Sequence, residues 1–265
     1  MYKAFYSLSG DPFSKENNDN FFVSQSFKEA KARLEYLQKS RGMGILLGEP
    51  GAGKTYVLRT FSSSLNSALY RVIYFPLSTG TVTDFYRGLV KGLGEEPRFR
   101  KVDLFEQFQR RVLSLFKDKR ITPVFILDEM HIAPAKMFTD MGLLFNFNMD
   151  SLNPFVLIMS GLPSLQERLN VISTQPLNQR ILMRYCMEPL EKDEVRQYVE
   201  HNLECAGAKH TIFGEDALEA VASLSQGWPR VINNLCLNCL LLGSQRKKEI
   251  IDSEIVRLAA QETGM

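Results

Sequence analysis

Gly48-Glu49-Pro50-Gly51-Ala52-Gly53-Lys54-Thr55 has the form Gly-x-x-x-x-Gly-Lys-Ser/Thr. The apolar run Met43 to Leu47 precedes it, and a helical pattern begins near Tyr56. Gly48, Gly51 and Gly53 let the backbone curl so that successive N–H groups converge on an anion, while the next helix adds the positive end of its dipole. In this strand, loop and helix setting the expected anion is the phosphate chain of a nucleotide. Lys54 reaches the β- and γ-phosphates and the Thr55 hydroxyl sits on Mg²⁺; Glu49, Pro50, Ala52 and Tyr56 complete the candidate nucleotide contacts.

A second constellation is Pro123-Val124-Phe125-Ile126-Leu127-Asp128-Glu129, an apolar run ending in two carboxylates. An unbroken run of this kind suits a strand buried on both faces of a parallel sheet, and such sheets bind ligands at the carboxyl ends of their strands. Asp128 is then the candidate metal carboxylate, acting directly or through water, and Glu129 the group that orients and polarises the attacking water. Ser160 ends another apolar run, Phe155 to Met159, and lies near the γ-phosphate if that strand neighbours the Asp128 strand. A serine before Gly161 is also ordinary turn chemistry.

Three arginines have the reach to join this chemistry. Arg180 and Arg184 precede a last strand read over Tyr185 to Glu188; neither has an evident partner in one chain, and in a ring both face a neighbour's nucleotide. In Gly227-Trp228-Pro229-Arg230, proline takes the favoured first turn of a helix, leaving Arg230 either to reach an anion or to sit on the surface.

The elements that must position these groups follow the chain. Residues 1–23 are rich in rings (Tyr2, Phe5, Tyr6, Phe13, Phe21, Phe22) without a period, so they are expected to drape over a domain, as surface packing or over an adenine base. Phe27, Ala30, Leu34 and Leu37 mark an amphipathic helix over Ser26 to Gln38. Arg71 to Leu77 reads as a strand, Thr83 to Leu93 as a helix stopped by Gly94, and Ser164 to about Val171 as another helix. From Glu191 the pattern is all-helical, with helices near Val195 to Ala206, Asp216 to Leu224, Val231 to Leu242 and Asp252 to Gln261. The expected fold is an α/β core, a parallel sheet flanked by helices, followed by a small all-helical lid. The expected domains are an N-terminal extension packing on the core (1–25), the nucleotide-binding α/β domain (26–190) and the lid (191–265).

Residues 87–120 carry ten basic residues against Glu95, Glu96, Asp103, Glu106 and Asp118. A solvated helix face and a phosphate-contacting face both account for such a run. Lys91, Arg98, Arg100 and Lys101, around the Gly94 to Pro97 turn, are the candidate DNA contacts. A net charge of only +2 argues against a globally basic nucleic-acid binder. Four scattered cysteines suit a reducing compartment, and the Cys236/Cys239 pair lies in an apolar helical run that favours core packing over metal chemistry. No apolar run approaches the roughly 20 residues that span a bilayer, and there is no signal-peptide pattern, so a cytoplasmic protein is expected.

In this order the motifs resemble those of AAA+ ATPases, and more narrowly the family of the secretion-pathway ATPase ExeA and the transposition helpers TniB, TnsC and MuB. Besides the loop and Asp128-Glu129, the resemblance rests on Asp11-Pro12-Phe13 with Phe21-Phe22, Leu93-Gly94, Asn146 to Pro154, Gly161-Leu162-Pro163, Gln179-Arg180, Ala206-Gly207, Ile212-Phe213 and Gly227 to Asn233. It implies ATP and Mg²⁺ as cofactors, Ser160 as first sensor, Arg180 as a finger acting on a neighbouring subunit, and Arg230 as second sensor. Two segments depart from the family pattern: Met130-His131 stand where it has Ala-Gln, and Leu162 where it has Gln. Both lie close to where hydrolysis is sensed or relayed.

The resemblance implies an ATP-dependent homo-oligomer, ring or helical filament, that hydrolyses ATP slowly and only when assembled. It would bind double-stranded DNA without strong sequence preference and recruit or activate a separately encoded transposase, with no membrane involved. The alternatives are a secretion-assembly ATPase like ExeA and a nucleotide switch without DNA. Secretion members carry a membrane span and a cell-wall-binding part after the ATPase, and the end of this sequence at Met265, directly after the lid, favours transposition.

Overall fold

The computed structural model describes residues 2–14, 22–76 and 80–264. In chain order the elements are α1 (Tyr2–Phe5), α2 (Gln25–Ser40), β1 (Gly42–Leu47), α3 (Lys54–Ser64), β2 (Tyr70–Pro76), α4 (Val82–Gly92) and α5 (Lys101–Lys117). Next come β3 (Thr122–Asp128), α6 (Ala135–Leu144), β4 (Val156–Gly161), α7 (Ser164–Leu169), α8 (Gln175–Asn178) and β5 (Ile181–Cys186). The remaining helices are α9 (Lys192–Cys205), α10 (Glu215–Ser225), α11 (Pro229–Gln245) and α12 (Ser253–Thr263). Two compact units result: one of residues 29–49 and 53–187, the other of residues 1–28, 50–52 and 188–265.

The first unit is built on a five-stranded sheet in the order β2-β3-β4-β1-β5, with every pair parallel. Strands β1 and β4 are buried at every position and β3 at all but its first, as expected of apolar runs covered on both faces. The outer strands are the ones that alternate: Ile181 and Met183 of β5 are buried while Leu182 and Arg184 are exposed. That alternation places the last strand earlier than its apolar content indicates. Arg184 therefore lies inside β5 and does not precede it.

Two of the longer helices have no bounds in the reading of the sequence, although a solvated helix face is one account of the basic run. The first is α5, 17 residues long, which buries Leu104, Phe108, Val112 and Leu115. Much of the basic stretch is thus the solvated side of an amphipathic helix. The second is α6, which buries Met137, Phe138, Met141 and Leu144. Phe108 meets Phe125 and Phe145 with ring centroids 5.4 and 5.3 Å apart, and Phe145 meets Phe155 at 4.9 Å, so aromatic contacts tie α5 to β3 and to the entrance of β4. Helix α4 lies directly on β2. A Cβ at Gly88 would come within 2.1 Å of Phe75, and one at Gly92 within 2.4 Å of Ile73.

The second unit is helical, with a core drawn from α9 to α12. Tyr2, Tyr6, Leu8 and Phe13 belong to that same core. The Tyr6 hydroxyl donates to the Lys248 carbonyl at 3.0 Å, and the Ser9 N–H donates to the Ala206 carbonyl at 2.8 Å. The N-terminal rings, expected to drape over the nucleotide-binding domain, instead complete the helical unit. A bundle of four short helices has little interior of its own, and each buried ring adds a large apolar area. Phe21, part of the same expectation, lies outside the described residues. Cys236 and Cys239 are fully buried in α11. Burial pushes the Cys236 thiol well up and that of Cys239 up to about 12, so both behave as small apolar groups. Among the described residues no helix is long and apolar enough to cross a membrane.

Candidate active site

The loop after β1 turns on left-handed backbone at Gly51 (φ 88°) and Gly53 (φ 96°), the latter capping α3. Only glycine adopts these angles without strain. Helix α3 then begins at Lys54, and the first four N–H groups of any helix lack intrahelical acceptors, which makes this end an anion site. The Lys54 ammonium is buried and folds back along the loop, donating to the carbonyls of Gly48 (2.7 Å) and Glu49 (3.1 Å). A buried cation lying against carbonyl dipoles suits the arrival of a polyanion.

Strands β1, β3 and β4 bring the rest together. Leu127 pairs with Met159, so Asp128, which ends β3, and Ser160, one residue before the end of β4, stand at one level on adjacent strands. Leu46 pairs with Ser160 on the other side, which sets the start of the phosphate loop beside them. Asp128 is buried. Its Oδ1 accepts from the Glu129 N–H at 3.0 Å, and its Oδ2 accepts from the Tyr74 hydroxyl at 3.0 Å and the Thr55 hydroxyl at 3.4 Å. Burial, then the Asp128 charge, push the Tyr74 phenol up to about 12, so it stays a donor at neutral pH. The Ser160 hydroxyl is fully enclosed and has no partner among the described residues. Leaving such a group unpaired costs about 1–3 kcal/mol, a cost that a polar partner arriving with a ligand would remove.

Glu129 has a left-handed backbone (φ 58°) and a side chain about half exposed, with Oε2 3.4 Å from His131 Nδ1. That nitrogen makes no hydrogen bond among the described residues, so the two side chains are close without being bonded. The histidine that departs from the family pattern therefore sits against the candidate water-positioning group. Its backbone is fixed from two sides. Arg168 donates to the His131 carbonyl, and a Cβ at Gly161 would come within 3.1 Å of the His131 nitrogen.

Arg180 has partners within the same chain. Its Nη1 donates to the Gly142 carbonyl at 2.7 Å, and its Nη2 pairs with Asp150 at 3.1 Å. Arg184 also has partners, the Asn178 carbonyl at 2.7 Å and Gln166 at 3.2 Å. Within the helical unit, which includes loop residues 50–52, Arg230 packs on Gly51, where a Cβ would lie 2.4 Å from the arginine's own. Gly51→Ala should therefore both strain the backbone and displace Arg230. We expect at least about a tenfold loss in nucleotide affinity, read by equilibrium binding; binding equal to the parent's would show that the loop tolerates both.

The four candidate DNA contacts divide. Lys101 is drawn to Asp140 and Arg100 pairs with Asp103 at 3.2 Å. Lys91 and Arg98 are exposed and make no ion pair among the described residues. The half-buried Glu95 is matched by Arg111 at 3.7 Å and Arg110 at 3.9 Å. Much of the local positive charge is thus already balanced.

Residues 37–169, which carry the loop, both carboxylates and Ser160, match the family model described as AAA domain. The chain belongs to the AAA domain family. Its parallel sheet with a helical C-terminal region is the AAA+ ATPase fold, shared with Cdc6p from Pyrobaculum aerophilum (TM-score 0.73, 18% identity, covering 96% of this chain and 71% of that one). The Aeropyrum pernix ORC1 protein, solved in complex with DNA, has the same fold (TM-score 0.66, 17% identity, covering 95% and 68%). In sequence the AAA chain is similar to general secretion pathway protein A of Aeromonas hydrophila, 30% identical over 272 residues. That match takes in 100% of this chain and 49% of the relative, so the chain spans about half the length of that protein.

Tyr74 was not singled out from the sequence, although its place opposite the Asp128 strand follows once β2 and β3 are known to pair. The alternation in β2, with Val72 and Tyr74 exposed and Ile73 buried between them, was the available signal. The phosphate loop, the Thr55–Asp128 pair and the carboxylate beyond it fit a nucleotide with Mg²⁺ by the chemistry of their donors.

Proposed function

We propose that this AAA protein binds and hydrolyses ATP in an assembly-dependent way, forms a ring or filament on double-stranded DNA, and thereby recruits or activates a separately encoded transposase. The observation that carries the hydrolytic part is the Thr55–Asp128 contact with Glu129 immediately beyond it, beside the buried Lys54. Lys54 neutralises the β- and γ-phosphates, Thr55 and Asp128 hold Mg²⁺, and Ser160 and Arg230 answer to the γ-phosphate. Mg²⁺, held by Thr55 and Asp128, would supply positive charge to offset that of the phosphates. Glu129 orients a water and takes its proton as the water oxygen bonds to the γ-phosphorus and the bond to the ADP oxygen breaks. His131 sets the direction in which that carboxylate points.

DNA binding is the less direct part. The shared fold includes a protein solved in complex with DNA, and Lys91 and Arg98 stand exposed and unmatched near the turn between α4 and α5. The deciding experiment is electron microscopy of the protein with double-stranded DNA, with and without ATP. Regular coating of the duplex only with ATP supports the reading, and no coating under assembling conditions removes it. A second reading, an ATPase of secretion assembly, is favoured by the 30% identity to general secretion pathway protein A. It predicts the second outcome.

If DNA is bound, phosphate contacts should dominate and sequence should matter little. A Lys91→Ala, Arg98→Ala double variant should then weaken binding to all duplexes alike and lower the slope of log affinity against log salt by about two, near one for each phosphate no longer neutralised. Lys101→Ala should barely change the slope, because its ammonium is already held by Asp140. A salt titration of duplex binding with variants that still bind ATP checks both; an unchanged slope in the double variant takes this turn off the DNA surface.

A further inference from the structure

The Asp128 carboxyl group lies almost out of water, and no lysine or arginine pairs with it among the described residues. Such a carboxylate must be satisfied by hydrogen bonds. Among the described residues it has three donors, and two of them, Thr55 and the Glu129 N–H, belong to the segments that define the site. The third, Tyr74, comes from β2 at the edge of the sheet. We propose that Tyr74 is a positioning residue for Mg²⁺: by donating to Asp128 Oδ2 it fixes the carboxylate plane, so that the remaining lone pairs face the metal beside the Thr55 hydroxyl. This deepens the reading of Thr55 and Asp128 as the Mg²⁺-holding pair and rests on it.

Three features support the role. First, the strand pairing delivers the phenol. Pro76 of β2 is opposite Asp128, Tyr74 lies two residues back on an uninterrupted ladder, and the length of the ring spans the difference. A donor mounted on a paired strand holds its direction better than one on a loop. Second, the ring does not fill the core. Tyr74 is 49% exposed and its same-face neighbour Val72 is exposed too, so packing alone would be served as well by other residues. Third, the hydroxyl and Thr55 share one oxygen, Oδ2, while the Glu129 N–H holds Oδ1. Loss of the phenol hydroxyl leaves Oδ2 with one long hydrogen bond, and the carboxylate can rotate about its side-chain bonds.

Outer hydrogen bonds to metal-binding carboxylates are typically worth about 10–100-fold in metal affinity. The test is binding of a fluorescent ATP analogue to the full chain, first in EDTA and then across a Mg²⁺ titration, for the parent and Tyr74→Phe. The expected result is unchanged affinity in EDTA and a Mg²⁺ midpoint raised at least about tenfold. In an Asp128→Asn background the same substitution should give no further shift, because the carboxylate it steers is gone. A parent whose nucleotide binding gains nothing from Mg²⁺ overturns the reading of the site and this inference with it. A parent that responds to Mg²⁺, with Tyr74→Phe at the same midpoint, overturns the inference alone. So does a Tyr74→Phe protein that melts earlier without nucleotide and loses affinity equally in EDTA and in Mg²⁺, since the hydroxyl then serves stability.

Discussion

Glu129→Gln is expected to bind ATP as tightly as the parent and to hydrolyse it about 10²–10⁴ times more slowly, the usual loss when a positioned general base is removed. Lys54→Ala is expected to fail one step earlier, with nucleotide affinity reduced at least about a hundredfold, because the lost ammonium makes charge-assisted hydrogen bonds in the ground state as well as during reaction. The two groups differ in their surroundings. Lys54 lies buried along the loop carbonyls, whereas the Glu129 side chain is half exposed and immediately follows Asp128. Equilibrium binding of a fluorescent ATP analogue and single-turnover phosphate release measure the two effects independently. Normal turnover by Glu129→Gln would remove that residue from the chemistry. His131→Ala sharpens the assignment: it should change turnover and leave binding alone, since the imidazole faces the Glu129 carboxylate and not the phosphate loop.

Arg180→Ala is expected to lower assembly-stimulated turnover by about 10³-fold or more, as when an arginine finger is lost. An arginine meeting charge that develops only in the transition state has little effect on binding and a large one on rate. The structure adds a condition. The guanidinium is held by Gly142 and Asp150 of the same chain, so acting on a neighbouring copy would require it to exchange the Asp150 contact. Asp150→Ala should therefore retain or raise turnover while Arg180→Ala abolishes it. Mixing Arg180→Ala with Glu129→Gln protein should restore part of the activity, because some interfaces then pair an intact arginine with an intact carboxylate. If co-assembled mixtures recover nothing, or if Asp150→Ala behaves like Arg180→Ala and both melt early, the arginine is a tether for the segment around Asp150.

Local sequence was sufficient wherever neighbouring residues carry the constraint. The loop from Gly48 to Thr55 needs glycine at its left-handed positions and a helix start after it, and eight adjacent residues encode both. The strand ending at Asp128 is readable because burial on two faces demands an unbroken apolar run. The four C-terminal helices show their period over three turns or more. Where one face is open the signal weakens. Strand β5 alternates, so its start at Ile181 is obscured, and the charge of α5 distracts from the regular spacing of Leu104, Phe108 and Val112.

What no stretch of the chain encodes alone is who meets whom across the sheet. Tyr74 and Asp128 are 54 residues apart, and the side chains meet only because β2 pairs with β3 in a register that puts Pro76 opposite Asp128. Ser160 reaches the level of Asp128 because β4 lies between β3 and β1, an order that crossover connections set and composition does not. The N-terminal rings could have covered any apolar face. They are part of the core of the helical unit, where Tyr2, Tyr6 and Phe13 are buried. The type of chemistry was written in short runs of residues, and its aim came from strand order, register and competition for buried surface, which are properties of the whole chain.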